Sequence, residues 1–469
     1  MRELKAYRKT ISIVNETTIG LYENLVGNEV GFLLESYDKN NGRYSIFGKN
    51  PEEYITSKGD SLVIKKRSGE TEVREGNPYE RLKEYFSEFH VVKEDGELAF
   101  IGGLVGSLGY DFIRYTEELP DNNEDEIGIE TIQFMLATEF IVIDHVAETL
   151  SGVVLEEDNE AGKERAKKRA QELVTETMDG YHEEEKETFL QDGVIIHKSD
   201  SIEQYSEKVE KIKEYIKEGH IFQTVLSQRW TVETGQDGFS LYKKLRILNP
   251  SPYLYYFKFP EFEIIGSSPE MLVKKAADKV YTCPIAGTRK RGKTPEEDEA
   301  LKAELLADPK ERAEHVMLVD LARNDMGRIS QFGTVKVTQF MTVQNYSHVM
   351  HIVSLVEGRK KGESHPLELV ASFLPAGTLS GAPKIRAMEI IDELEVFRRG
   401  LYGGATGYLA FDGNMDFCIT IRTMVKKGKN VYLQAGAGIV LDSVPENEYD
   451  ECCNKVMALA KTLVKEENL

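Results

Sequence analysis

The chain holds 469 residues, 41% of them hydrophobic and 30% charged, with 59 Lys and Arg against 80 Asp and Glu for a net charge of −21 at pH 7. At roughly 150 residues per domain, that length suggests two or three domains with ample apolar material for large cores. The acidic balance argues against nucleic-acid or anionic-membrane binding, which need a basic face, and no apolar run approaches the ~20 residues that span a bilayer.

The N-terminal MRELKAYRKT is basic but lacks the apolar stretch of a signal peptide. Short alternating segments follow, such as GRYSIFG (42–48) and SLVIKKR (61–67), broken by Gly, Asn and Asp. They predict mostly antiparallel sheet over the first ~150 residues. In FIGGLVGSLGYDFIR (100–114) the glycines are not spaced as G-x-G-x-x-G, and they read as close backbone packing. The charge-dense EEDNEAGKERAKKRAQELV predicts a surface helix. The acidic stretch at 179–189 reads as a linker, dividing the chain into regions 1–178 and 190–469. Ser201 and Gln204 form a capping box, with Ile202, Tyr205, Val209, Ile212 and Ile216 on one helical face and Gly219 as the stop. Strands are predicted at 221–232, 253–258, 262–267 and 279–286, after which helices and strands mix without a βαβ rhythm. The fold class is α+β with large antiparallel sheets. The four cysteines, Cys283, Cys418, Cys452 and Cys453, show no C-x-x-C spacing, as expected of a reduced, cytoplasmic protein without zinc.

Several residue patterns bear on chemistry. Gly287–Thr294 satisfies the P-loop pattern G-x-x-x-x-G-K-[ST], but Pro295 follows it, so a helix begins at the end of the motif. The apolar run ending at Asp320 lies behind Asp308-Pro309, an N-cap with Pro at the first helical position, and is helical instead of a strand. A P-loop nucleotide site is therefore a distant alternative.

On that helix Glu311 and Glu314 fall three apart; Glu448 and Glu451 do the same on a helix starting around Pro445. Two such starts can offer four hard oxygen ligands to one Mg²⁺. Equally, acids in a first turn favour the helix dipole, and Glu311 at the third position can complete the cap. Gly287-Thr288, Gly377–Gly381 and Gly436-Ala437-Gly438 read as turns, plain or with N–H groups that hold carboxylate oxygens. Arg422 lies in an apolar strand, ITIRTM, where it wants a buried carboxylate from the protein or a ligand. His351, in SHVMHIVSL, reads by default as a satisfied core histidine.

The ordered blocks IGSSPEML, PIAGTRKRG, ERAEHVMLVDLARND, YSHVMHIVS, GTLSGAPKIRAMEII, YGGATGY, CITIRT and QAGAGIVLDSVPENEYDECCNKV cover nearly all of region 190–469. With LLES at 33–36 they resemble the chorismate-utilising enzymes, and within them the anthranilate synthase component I branch. The resemblance implies two large antiparallel β-sheets packed as a sandwich with helices outside. It implies conversion of chorismate and ammonia, with Mg²⁺, to anthranilate and pyruvate, the first step of tryptophan biosynthesis. The implied partner is a glutamine amidotransferase subunit (component II), in a heterotetramer, and the implied feedback inhibitor is tryptophan.

Residue by residue, Glu314 and Glu451, with Glu311 and Glu448 beside them, match metal positions. Gly287, Thr288, Tyr402, Arg422, Gly436, Ala437 and Gly438 match chorismate-binding positions. Glu270 matches the acid that protonates the departing hydroxyl, His351 the histidine of pyruvate elimination, and Thr378 lines the same pocket. Ser36, Pro252, Tyr253 and Leu254 match the effector site. Ala286 stands where some aminodeoxychorismate synthases carry a lysine that attacks the ring, and Gln223 where isochorismate synthases carry a lysine that activates water. Ala286 leaves ammonia to attack directly, Gln223 disfavours water addition, and both departures favour the anthranilate synthase branch. Component I of aminodeoxychorismate synthase, of the folate pathway, is the alternative. No cysteine has the context of an activated nucleophile, so glutamine use is expected to need the partner.

Overall fold

A computed structural model describes residues 2–36, 43–92, 100–181, 190–345, 349–362, 364–465 and 467. The period-2 segments assemble into two sheets. The first runs, edge to edge, through Val194–Lys198, Gln223–Glu233, Asn430–Ile439, Thr423–Lys427, Glu263–Ser268, Tyr253–Lys258, Gly31–Glu35, Tyr44–Lys49, Glu139–Asp144, Thr149–Glu157, Arg2–Ser12 and Phe89–Val92. The second runs through Ile285–Lys290, Val349–Arg359, Lys279–Thr282, Met271–Ala276, Met415–Ile419, Ala405–Ala410, Gly103–Leu108, Ile132–Ala137, Glu53–Lys58, Ser61–Lys66 and Thr71–Glu75. Along both paths the pairing is antiparallel except between Arg2–Ser12 and Phe89–Val92, which run parallel.

The sheets pack face to face. Phe32, Phe140, Tyr255 and Phe257 of the first meet Leu104, Phe134 and Phe417 of the second in one large core. The other face of the first sheet is covered by the helices Thr18–Leu25, Glu160–Met178, Gly238–Leu248 and Pro445–Ala460, which share a second core with Leu33, Trp230 and Tyr256. This is the α+β sandwich expected from the sequence. Among the described residues no helix is long and apolar enough to cross a membrane.

Local signals placed their elements well. Ser201 and Gln204 make a reciprocal capping box at the start of Ile202–Lys217, with Tyr205, Val209 and Ile212 buried. Helix Glu160–Met178 is less of a surface helix than its charge suggests, because it buries Ala166, Ala170, Leu173 and Val174. The run 279–286 splits into Lys279–Thr282 and Ile285–Lys290, since Pro284 between them has no N–H to give a ladder. Of the expected linker, residues 182–189 lie outside the described ones.

Both sequence regions contribute strands to both sheets. They join along two seams, Gly31–Glu35 against Tyr253–Lys258 and Gly103–Leu108 against Ala405–Ala410. At the second seam Gly106 lies directly opposite Gly407. A Cβ on Gly106 would stand 2.0 Å from the Gln133 carbonyl oxygen, and one on Gly407 2.0 Å from that of Asp416. The glycine-rich run is therefore close backbone packing, as the sequence suggested. Gly106→Ala should lower stability by about 2–3 kcal/mol through overpacking, read as a lower urea midpoint with an unchanged slope.

Candidate active site

The two E-x-x-E helices come from distant parts of the chain and bring their glutamates within electrostatic reach of one another. Asp308 caps Pro309–Ile329 by accepting from the N–H groups of Lys310 (2.9 Å) and Glu311 (3.3 Å). The Glu311 carboxylate is free of capping duty and accepts from Arg289 Nη1 at 3.1 Å. Withdrawal from water, then repulsion from Glu311 and Glu451, pushes the Glu314 carboxyl above its ordinary range. Glu448, on Pro445–Ala460, is raised by burial and by Glu451. Carboxylates that repel one another in this way are a donor set that a hard divalent cation neutralises. Here Glu451 is held by Lys455 at 2.7 Å, and among the described residues no three such side chains close around one point.

The P-loop alternative fails on geometry. Gly287 and Thr288 lie in the strand Ile285–Lys290, while Thr294 caps a separate helix, Pro295–Ala307. They are not a turn either: Gly287, with φ +61°, makes a bulge where the register slips against Val349–Arg359. A Cβ there would crowd Leu305 at 3.0 Å and the Glu311 carboxylate at 3.1 Å.

Gly436-Ala437-Gly438, expected as a turn, lies inside strand Asn430–Ile439. The N–H groups of Val225 and Ser227 bond to the Ser380 carbonyl and the Glu395 carboxylate, each at 2.9 Å. Their opposite residues, Gly438 and Gly436, are therefore the non-hydrogen-bonded positions of that ladder. Both glycines aim their N–H groups the other way, where pairing with Thr423–Lys427 has ended at Met424–Leu433. The Gly436 carbonyl on this open side accepts from Lys455 Nζ at 2.8 Å. A Cβ on Gly436 would stand 2.9 Å from the Tyr402 hydroxyl, so the glycine makes room for that ring. Ala437 does not line the site: its side chain is buried with Tyr205, Val209 and Ile212.

Arg422 departs furthest from expectation. ITIRTM is not one strand, because the chain leaves the second sheet after Ile419 and enters the first at Thr423. Arg422, in that crossing, takes a left-handed φ of +51°. Its guanidinium pairs with no carboxylate among the described residues, and burial pulls its pKa down. It borders an open cavity of about 400 Å³ with Asn447, Asp450, Glu451, Asn454 and Lys455.

Glu270 sits in a second crossing, between Glu263–Ser268 of the first sheet and Met271–Ala276 of the second. It is 9% exposed, and burial raises its carboxyl to about 7, against the smaller pulls of the Thr378 hydroxyl and Lys455. Thr378 Oγ1, on the Gly377–Gly381 turn, donates to Glu270 Oε1 at 3.2 Å.

His351 pairs across the ladder with Thr288. Its Nδ1 lies 2.9 Å from the Gly287 carbonyl oxygen, which can only accept, so the proton resides on Nδ1 and Nε2 carries the lone pair. Burial, then Arg422, lowers its pKa, so the ring is neutral at pH 7. It is half-buried and its ring hydrogen-bonds to the site's own bulge, not to the core as its sequence context suggested.

At the first seam the effector residues are strand neighbours. Leu254 lies opposite Glu35 and Tyr255 opposite Leu34, which puts Leu34 and Tyr253 on the face toward the inter-sheet core. Tyr253 donates from its hydroxyl to Asp416 Oδ1 at 2.9 Å. Ser36, just past the strand, is half-buried.

Sequence reasoning missed Lys455 and Arg399. Lys455 was legible as an i, i+4 partner of Glu451. Nothing local marked Arg399.

The sandwich, the open strand edge and the carboxylates at its rim define a class. The chain belongs to the family of chorismate binding enzymes, which it matches over residues 32–461. It is 48% identical over 464 residues to the anthranilate synthase component 1 of Acetivibrio thermocellus, covering 96% of this chain and 93% of that one. It is 42% identical to that of Bacillus subtilis (strain 168), covering 97% and 91%. The crystal structure of anthranilate synthase component I from Streptococcus pneumoniae TIGR4 superposes with a TM-score of 0.79 at 38% identity, over 90% of this chain and 93% of that one. The menaquinone-specific isochorismate synthase MenF of Escherichia coli shares the fold, with a TM-score of 0.74 at 18% identity over 99% and 95%.

A carboxyl near 7 is a proton donor below that pH and is spent above it. The kcat/KM of this enzyme should therefore fall as pH rises through about 7. Glu270→Gln should lower kcat by about 100-fold or more and erase that limb; an unchanged limb in the variant would assign it elsewhere.

Proposed function

We propose that this chain is the chorismate-converting component of an anthranilate synthase. The observation that carries the reading is Arg422: a partly buried guanidinium with no carboxylate partner among the described residues, beside a cavity and two outward-facing glycine N–H groups. Chorismate brings two carboxylates, and a fixed guanidinium with aimed N–H donors is what such groups need.

Ammonia adds at ring C2 while the C4 hydroxyl leaves as water, taking its proton from Glu270. Thr378 holds that carboxyl in place. In the second step a base removes the C2 proton, the bond to the enolpyruvyl oxygen breaks, and pyruvate departs as the ring becomes aromatic. The Nε2 lone pair of neutral His351 fits the base, with Gly287 fixing its tautomer. Ala286 offers no side-chain nucleophile, so ammonia attacks the ring directly. Glu314 and Glu451, with Glu311 and Glu448, would hold Mg²⁺, which when bound neutralises the substrate's ring carboxylate.

Ammonia comes from glutamine through an amidotransferase partner. What supports this is the state of the thiols: burial pushes Cys283, Cys418 and Cys452 up to about 12 and raises Cys453, the reverse of an activated nucleophile. The purified chain should make fluorescent anthranilate from chorismate, Mg²⁺ and ammonia, but not with glutamine in place of ammonia. Glu314→Ala should abolish turnover at low Mg²⁺. No anthranilate from the wild-type chain with ammonia would overturn the function.

Tryptophan is the feedback inhibitor, and its place is the first seam. Leu34 and Tyr253 supply an apolar wall there, while Ser36 supplies a hydroxyl for the ligand's charged end. A ligand in the seam would bias how the two regions pack and weaken chorismate binding by linkage. Ser36→Leu should keep turnover while raising the tryptophan concentration for half-inhibition by about tenfold, a loss of ~1.4 kcal/mol. Inhibition unchanged in that variant would move the effector site away from Ser36.

A further inference from the structure

Arg399 is 2% exposed and lies between helix Lys384–Leu394 and strand Ala405–Ala410. Its Nε and Nη2 donate to the Glu395 carboxylate at 2.9 and 2.6 Å. Its Nη1 donates to the Leu379 carbonyl at 2.5 Å, and its Nη2 also to the Val225 carbonyl at 2.8 Å. The guanidinium carbon stands 4.6 Å from the Tyr110 ring centre and 5.5 Å from that of Tyr402. Glu395 is 7% exposed and accepts in turn from the Ser227 N–H and hydroxyl, at 2.9 and 2.8 Å.

These contacts end on three separate parts of the site. Leu379 is the residue after Thr378, on the turn that reaches Glu270. Val225 and Ser227 are the strand residues opposite Gly438 and Gly436. Tyr402 is the ring for which Gly436 makes room. We propose that Arg399 is the positioning residue of this active site: it touches neither substrate nor acid, but fixes the Thr378 turn, the glycine strand and the Tyr402 ring in one frame through its planar fork. Stability alone does not need it, since a buried ion pair is often replaceable by packed apolar groups without loss. What an apolar group cannot do is hold two carbonyls and two rings at set angles.

The frame has a chemical readout. Two groups pull on the Glu270 carboxyl, the Thr378 hydroxyl from the turn and the Lys455 ammonium from helix Pro445–Ala460; the Cys283 thiol, after Lys279–Thr282, feels the Glu270 carboxylate in turn. Of these, the Thr378 turn is bonded directly to Arg399, through the Leu379 carbonyl, while Lys455 is linked to it only through the Gly436 carbonyl of the glycine strand. If the turn relaxes, its donated hydrogen bond to the carboxylate is lost and Glu270 holds its proton to higher pH.

The inference rests on the function proposed above for Glu270. Arg399→Lys keeps a charge for Glu395 but loses the planar fork. It should melt within a few degrees of wild type while kcat falls by about 10- to 100-fold. The limb of kcat/KM assigned to Glu270 should move up by about one pH unit, the size of one hydrogen bond to a charged group. Thr378→Val should give the same shift, and the double variant no more than either alone. Should Arg399→Lys not fold, Glu395→Gln, which keeps the carboxylate's shape, carries the same expectation. A limb that stays in place, or shifts that add in the double variant, would reduce Arg399 to a structural residue. The same titration can be followed without turnover as the carboxyl ¹³C resonance that Glu270→Gln removes. A wild-type chain inactive on chorismate but showing the coupled resonance shifts would sink the functional reading and leave the positioning role standing.

Discussion

Two crossings of the chain between the sheets, bonded to each other, set the geometry of everything else. One runs from Ser268 to Met271 and carries Glu270; the other runs from Ile419 to Thr423 and carries Arg422. The Ile419 N–H donates to the Glu270 carbonyl at 2.9 Å, Ser268 Oγ donates to the Ile419 carbonyl at 2.6 Å, and the Ser267 N–H donates to the Arg422 carbonyl at 3.1 Å. A crossing must leave both ladders, so its backbone groups find partners elsewhere or remain a cost. Each crossing is the other's partner. The backbones that carry acid and guanidinium are thereby held together by main-chain bonds, with Glu270 buried in the sandwich and Arg422 at the border of the open cavity.

Burial then gives the two charged groups opposite characters. Glu270 has one hydroxyl and a distant ammonium for company, so it keeps its proton to about 7. Arg422 cannot shed its proton in the range where enzymes work and, among the described residues, pairs with no carboxylate. Arg399, more deeply buried, has its donors occupied by Glu395 and two carbonyls. Of these two arginines one is internally satisfied, while the other pairs with no carboxylate among the described residues.

That distinction marks the limit of what the sequence conveyed. Caps are local, so Ser201–Gln204, Thr294-Pro295 and Asp308-Pro309 could be placed from a few neighbouring letters, and with them the two helices of paired glutamates. The meaning of Gly436–Gly438 depended on a strand more than two hundred residues earlier, and in isolation three small residues look like a turn. ITIRTM reads as one apolar strand because both of its halves are strands; that they belong to different sheets is a fact of long-range pairing. The resemblance pointed to Arg422 and Glu270 as site residues, but that they sit on adjoining crossings was not legible from it. Arg399 left no local trace, since its contacts are with carbonyls and rings whose sequence positions carry no polarity signal.

The two seams also bear on how such a chain is made. As residues 2–157 leave the ribosome, the strands Gly31–Glu35 and Gly103–Leu108 have one partner each and an open flank. The second flank waits for Ala405–Ala410, roughly 300 residues later, or about 15–60 s at ordinary rates of synthesis. During that interval two apolar strand edges stand ready to accept any extended segment, including the same strand from a neighbouring nascent chain. Gly106 and its glycine-rich surroundings, which let neighbouring strands of the finished sheet approach so closely, give that waiting edge little side-chain bulk with which to refuse a wrong partner.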